Sequence, residues 1–89
     1  MEFEWDEAKR LANLAKHGFD FIDAIEVFAL LHVEEAARLT DGEPRFLAIG
    51  PLGNQVITVV FAHRGNTIRL ISARSARRGE RRRYQALLD

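Results

Sequence analysis

The segment QVITVVFAH, residues Gln55–His63, decides the fold more than any other part of the chain. Apolar side chains occupy both its odd and its even positions, and most of them are β-branched or aromatic. A strand of this kind is buried on both faces. We therefore expect it to lie at the centre of a sheet, under helices on at least one side.

The residues after this segment predict a hairpin and then a helix. Arg64-Gly65-Asn66 is a turn sequence, and Ile68–Ala73 has the period of two of a half-buried strand. From about Ser75 the residues favour a helix, apart from Gly79. One face of that helix would be basic, with arginines at positions 74, 77, 78, 81 and 82.

Two helices are predicted ahead of the sheet. Asp6 is a suitable N-cap, and apolar residues at helical spacing indicate a helix from about Glu7 to Lys16. Gly18 can adopt the left-handed conformation that ends it. Asp20 is the next N-cap, for a short second helix whose apolar stripe includes residues 21, 24, 25 and 28.

The pattern between the second helix and the central strand is less regular. Residues 31–38 alternate weakly between apolar and polar, which either a strand or an acidic helix extension can produce. Glu43–Ile49 predicts a strand whose early proline favours an edge or a strand start, and Gly50–Asn54 predicts a break. This order predicts an α+β fold with two N-terminal helices, an antiparallel sheet of three or four strands and a C-terminal helix, in a single domain over residues 1–89.

Charge is sorted along the chain although the formal net charge is zero. Residues 1–63 contain five basic and eleven acidic side chains, whereas residues 64–83 contain eight basic and one acidic. Such a segment indicates a polyanion or an acidic protein as partner, or a solvated helix face. The absence of cysteine, of a long apolar run and of a signal-like start favours a cytoplasmic protein without a membrane segment.

Arginines near the hairpin are candidates for phosphate chemistry. Arg64, Arg69 and Arg74 come from the turn, the last strand and the junction with the helix, and the hairpin predicts that they converge. Guanidinium groups bind phosphate with two parallel hydrogen bonds and stabilise charge that develops on it. No phosphate-binding glycine loop and no metal-binding motif occurs, so neither a cofactor nor a metal is expected.

Metal-free RNA cleavage needs a base near the ribose 2′-hydroxyl, cations on the phosphate and an acid at the leaving oxygen. Glu43 or His17 could be the base, and Lys16, His17 or Tyr84 the acid, with Arg64 or Arg69 on the phosphate. An ion pair of Glu43 with its strand neighbour Arg45 is the structural alternative. Each of the three histidines could likewise have only a structural role.

A series of short motifs runs through nearly the whole chain. The motifs are Phe3–Asp6, Lys9, Asn13, Lys16–Gly18, Phe21, Ala24, Gly42–Arg45, Ile49–Gly50, Ile68–Arg69, Ser72–Arg74, Glu80–Arg81 and Tyr84. In this order and spacing they resemble the BrnT family of bacterial toxins. The resemblance implies a RelE-like fold and a metal-independent ribonuclease that halts translation. It also implies a BrnA-like antitoxin with a ribbon-helix-helix DNA-binding part, in a two-to-two complex that represses its own operon.

The resemblance also bears on the choice of site residues. Catalytic candidates are Arg64, Arg69, Glu43, His17 and Lys16. RNA-binding candidates are Arg45, Arg74, Arg77, Arg78, Arg81 and Tyr84. Relatives tend to have Thr at the position of Ala62, and Ala29–Thr40 fits the family poorly. The competing hypothesis is a non-catalytic module whose arginine face binds nucleic acid or an acidic protein.

Overall fold

The computed structural model describes all 89 residues and contains one mixed sheet of five strands. The strands are β1 (Glu2–Glu4), β2 (Val33–Ala36), β3 (Phe46–Leu52), β4 (Gln55–Arg64) and β5 (Thr67–Ser75). They lie in the order β1-β5-β4-β3-β2, with β1 parallel to β5 and every other pair antiparallel. The prediction that residues 55–63 form the central strand is confirmed.

The helices are α1 (Glu7–His17), α2 (Phe21–Ala24) and α3 (Arg78–Leu88). α1 has the predicted caps: the side chain of Asp6 accepts from the amide of Lys9, and Gly18 is left-handed with φ 79°. None of the helices has the length and hydropathy needed to cross a membrane.

The prediction of two N-terminal helices is wrong for the second, short helix. α2 makes one turn, and the chain then tightens into a 3-10 helix over Ile25–Ala29. Phe21 and Ala24 of α2 and Val27 of the 3-10 helix are all fully buried. Val27 packs closely on Gly50 of β3, a contact with the sheet that the 3.6-residue stripe in the sequence does not indicate.

The sheet also differs from the predicted one of three or four antiparallel strands. The weak pattern at residues 31–38 does contain a strand, β2, which pairs with β3. β1 was not predicted, because three residues are too short for a periodic signal. It pairs in parallel with β5, and the ring of Phe3 packs 5.3 Å from that of Phe28.

Gly50 lies inside β3 and does not begin a loop. A Cβ at this position would come within 2.9 Å of Val27 Cγ1 and 3.0 Å of His32 Cβ, so only glycine lets the 3-10 helix approach the strand. The turn that ends β3 comes later, at Gly53, whose φ is 61°. The prediction of a break over Gly50–Asn54 was therefore placed too early.

The junction of β5 and α3 also lies later than predicted, since α3 begins at Arg78 and not near Ser75. Arg74 is thus a strand residue, paired across the sheet with Thr58. Beyond β1 the edge of β5 is covered by Asn13 of α1. Its Oδ1 accepts from the Ala73 amide at 3.1 Å and its Nδ2 donates to the Ala73 carbonyl at 2.9 Å.

The two faces of the sheet are covered differently. On the first face, α2 and the 3-10 helix pack with residues of β4 and β5 such as Phe61 and Leu70 to form the main core. On the second face, α3 covers only one end, where Tyr84 and Ala76 pack against Ile49 of β3. The other end of the second face carries charged side chains.

Candidate functional site

Four charged residues cross the uncovered end of the second face, and we call them the charged row: Glu4, Arg69, Arg64 and Glu43. Side chains along a strand point alternately to the two faces, and each of the two arginines lies next to a side chain that points to the first face. Both arginines therefore point to the second face. Ala62 faces Arg69 and Thr67 faces Arg64 across the β4–β5 hairpin. Arg64 and Arg69 are therefore diagonal neighbours, whose Cα atoms are about 7–8 Å apart.

Each arginine of the charged row is paired with one carboxylate. Arg64 Nε lies 3.0 Å from Glu43 Oε2, and Arg69 Nη1 lies 2.7 Å from Glu4 Oε2. Across the sheet, the two guanidinium groups occupy the middle of the row and the two carboxylates occupy its ends. The hairpin thus brings Arg64 and Arg69 together, as predicted, and Glu43 joins Arg64 and not Arg45.

These contacts leave one complete bidentate edge free on each guanidinium group. Arg64 uses only Nε, so its Nη1 and Nη2 remain available. Arg69 uses only Nη1, so its Nε and Nη2 remain available. Two parallel N–H donors are what a phosphate accepts from arginine. With side-chain exposures of 51% for Arg64 and 29% for Arg69, a ligand can reach both.

Arg45 lies next to the charged row. It directly precedes Phe46, whose ring packs on the first face against Phe61, so strand alternation puts Arg45 on the second face. Its Nε is buried and has no hydrogen-bond partner in the chain. The residue as a whole is only partly buried, and its role in RNA binding remains a prediction.

Arg74 does not belong to the charged row. It lies five residues along β5 from Arg69, or about 15 Å. Both of its terminal nitrogens donate to the carboxylate of Glu80, at 2.8 and 3.0 Å, in a fork geometry. Its predicted convergence with Arg64 and Arg69 is therefore not found, and both of its terminal nitrogens are engaged inside the protein.

Glu80 is a buried carboxylate with several donors. Besides Arg74, it accepts from the hydroxyl of Thr58 at 2.9 Å and from the amide of Arg77 at 2.7 Å. The Arg74 hydrogen bonds lower the pKa of Glu80 to about 2, against the opposing effect of burial, with smaller contributions from Arg77 and Thr58. This carboxylate ties the start of α3 to the sheet.

The α3 candidates fall into two groups. Tyr84 is buried against Ile49 and Ala76, so its ring belongs to the core. The outward surface of α3 is basic, and four exposed arginines on it form no ion pair. These are Arg77, Arg78, Arg81 and Arg82, which we call the α3 arginines. Arg77 is the N-cap of α3, and the remaining arginine of the helix, Arg83, is paired with Glu35 at 2.6 Å.

Lys16 and His17 lie away from the charged row. α1 starts beside Glu4 and runs along β5 until Asn13 reaches Ala73, and both residues follow Asn13. They are thus near the Arg74 end of β5. The structure brings neither of them beside Arg64 or Arg69.

Glu4 is the one member of the charged row that was not predicted as a site residue. Its partner Arg69 is 65 positions away, and the parallel pairing of β1 with β5 that joins them has no sequence signal. The available hint was compositional, since Glu2 and Glu4 alternate with Phe3 as expected for a strand with one buried face.

Two partly exposed arginines with free donor edges on an open sheet face have the chemistry that phosphate groups require of a binding site. The comparison with known families identifies the class of protein. Residues 5–80 match the family described as ribonuclease toxin, BrnT, of type II toxin-antitoxin system, and the chain belongs to this family. Membership implies RNA as target and a protein antitoxin as partner. No curated protein matches the chain in sequence.

Proposed function

We propose that this protein is an endoribonuclease that cleaves RNA at the charged row without a metal, by attack of a ribose 2′-hydroxyl on the neighbouring phosphate. Its family of ribonuclease toxins supports RNA as substrate. The observation that carries the proposal is the pairing of Arg64 with Glu43 beside Arg69, since it puts two cations and a carboxylate on one open surface.

In the proposed reaction, the free edges of Arg64 and Arg69 bind the phosphoryl oxygens. Glu43 takes the proton of the 2′-hydroxyl, the 2′-oxygen forms a bond to phosphorus and the bond to the 5′-oxygen breaks. The products are a 2′,3′-cyclic phosphate and a 5′-hydroxyl end. Fixed cations favour this step because negative charge grows on the phosphoryl oxygens in the transition state. Lys16, His17 and Tyr84 are distant from the row, so solvent supplies the proton to the leaving oxygen.

The proposal includes a biological setting. Cleavage of RNA in the cytoplasm would inhibit translation, and the antitoxin would neutralise the toxin. The resemblance of the motifs favours a BrnA-like antitoxin that binds operator DNA through a ribbon-helix-helix part, in a two-to-two complex. The α3 arginines offer a surface for RNA or for the antitoxin, because no carboxylate of the chain neutralises them.

A cleavage assay with purified protein in EDTA tests the proposal. Wild-type protein should release fragments with 2′,3′-cyclic phosphate ends, and a 2′-deoxy substitution should block cleavage at that position. Arg64→Ala and Arg69→Ala should each reduce the rate by about 10²–10³-fold, as expected when a group that stabilises the transition state is lost. Arg38→Ala is the matched control, because Arg38 is exposed and forms no ion pair. Full cleavage by both charged-row variants would refute the proposed site.

The α3 arginines favour a second candidate function, a non-catalytic module that binds RNA or an acidic protein. Such binding is dominated by phosphate contacts and weakens steeply as salt rises. Salt-dependent RNA binding without cleavage, under the same EDTA conditions, would favour the module over the enzyme.

A further inference from the structure

Glu4 is the outermost member of the charged row. It lies on β1, directly opposite Arg69 on β5, and outside residues 5–80, which match the family. Its Oε2 accepts from Arg69 Nη1 at 2.7 Å, and this is the only hydrogen bond that the Arg69 side chain makes within the chain. One carboxylate therefore determines how this guanidinium group is turned.

The atom that Glu4 uses decides what Arg69 can offer. A guanidinium group has two edges with parallel donors, one formed by Nη1 and Nη2 and the other by Nε and Nη2. Glu4 accepts the hydrogen bond of Nη1 from the β1 side of Arg69. The Nε–Nη2 edge of the guanidinium group therefore faces away from β1, toward β4 and Arg64. Without Glu4, the long Arg69 side chain would sample many rotamers, at an entropic cost when a ligand binds.

We propose that Glu4 is a positioning residue, which holds Arg69 so that its Nε–Nη2 edge faces a phosphate located between Arg69 and Arg64. This inference rests on the proposed function and extends it to a residue outside the matched segment. Glu4 itself touches no phosphate, since it lies on the far side of Arg69. Its effect on the reaction passes through the orientation of one guanidinium group.

The ion pair is partly exposed to solvent, so we expect it to contribute little to stability. Side-chain exposures are 29% for Arg69 and 39% for Glu4, and exposed pairs of this kind contribute little to folding. Variants at Glu4 should therefore fold. Glu2 provides a matched control on the same strand and the same face, because its carboxylate is 3.5 Å from the Thr67 hydroxyl and pairs with no cation.

The test compares Glu4→Ala, Glu4→Gln and Glu2→Gln in RNA cleavage. Glu4→Ala should lower kcat by about tenfold or more with a much smaller change in KM, because misorientation affects the transition state most. Glu4→Gln keeps an acceptor oxygen and should retain activity within about threefold of wild type, and Glu2→Gln should match wild type. A kcat for Glu4→Ala equal to wild type, or an equal loss in Glu4→Gln, would overturn the positioning role.

A second measurement separates this inference from the proposed function. The Arg69 side-chain N–H signals of full-length protein, observed by NMR with a 2′-deoxy oligonucleotide, should be sharp and should shift on binding, whereas in Glu4→Ala they should be broadened. This result would support the positioning of Arg69 even if wild-type protein failed to cleave RNA. Identical Arg69 signals in both proteins would overturn it.

Discussion

The two ends of β5 use the same pair of residue types in opposite ways. At one end, Arg74 gives both terminal nitrogens to Glu80, whose side chain is only 7% exposed, and Thr58 adds a further donor. At the other end, Arg69 gives a single nitrogen to Glu4, and both side chains are reached by solvent. The first arrangement uses both terminal nitrogens of its arginine, whereas the second keeps a complete donor edge for a ligand.

This difference shows that the presence of an arginine–carboxylate pair says little about its role. Removing one partner of a buried pair leaves an uncompensated charge, whereas an exposed pair is solvated and contributes little. We expect the Arg74–Glu80 pair to support the fold, and the charged row to support binding and catalysis.

Arg74→Ala should have the largest effect. It leaves Glu80 buried with its main partner missing, so the free energy of unfolding should fall by about 3–5 kcal/mol. Urea unfolding followed by circular dichroism measures this loss. Arg69→Ala is the control and should change stability by less than about 1 kcal/mol. Equal losses in the two variants would remove the distinction between the buried and the exposed pair.

Glu43→Gln should reduce RNA cleavage by about 10²–10³-fold, because it removes the proposed base and leaves the fold intact. Single-turnover cleavage rates in EDTA provide the measurement. Asp41→Asn is the control, since Asp41 is an exposed acid of the same turn whose φ of 52° suits asparagine well. If Glu43→Gln cleaves at the wild-type rate, the base lies elsewhere.

The pH dependence of stability should report on Glu80. Its pKa is about 2 in the folded protein, below the ordinary value of 4.5, so its contribution is complete above pH 4.5 and is lost as pH falls toward 2. The loss should amount to at most about 3 kcal/mol. Thermal melts between pH 7 and pH 2 should show this dependence in wild type. The pH dependence of stability should be reduced in Glu80→Gln. An unchanged pH profile in this variant would mean that Glu80 is not the group responsible.

The α3 arginines should have the smallest effect. Arg78→Ala combined with Arg82→Ala should weaken RNA binding by about 3–10-fold and reduce the slope of log affinity against log salt by about 1.4, which corresponds to two phosphate contacts on a single strand. Fluorescence anisotropy over a salt series measures both quantities. An equal change in Arg38→Ala would mean that net charge, and not this surface, determines affinity.

Most of the sheet and the first helix could be predicted, because their signals are local. The two-sided apolar run of β4 and the caps of α1 each lie within a few residues. The 3-10 helix could not be predicted, because it depends on how Val27 packs onto Gly50, and that contact is absent from the local pattern. β1 is too short to be recognised without its partner.

The residue types of the site could be predicted from the sequence. The ion-pair partner of each residue was harder to predict. Arg64 and Arg69 share one hairpin, so their proximity followed from the turn. Which carboxylate pairs with which arginine depends on contacts between distant segments: the structural alternative for Glu43 was an ion pair with Arg45, and the structure has Arg64. The predicted convergence of Arg74 with Arg64 and Arg69 failed because β5 extends further than its alternation indicates.

The parallel pairing of β1 with β5 also has a consequence for the order of folding. The hairpin that carries Arg64 and Arg69 closes through a short turn and can form early, whereas Glu43 is 21 and Glu4 is 65 positions from its arginine. Contacts between distant segments close slowly, because the loop between them loses entropy. We therefore expect the cationic half of the charged row to assemble before the acidic half. In that order, a partly folded chain would expose both arginines while it still lacks the proposed base and the residue proposed to orient Arg69.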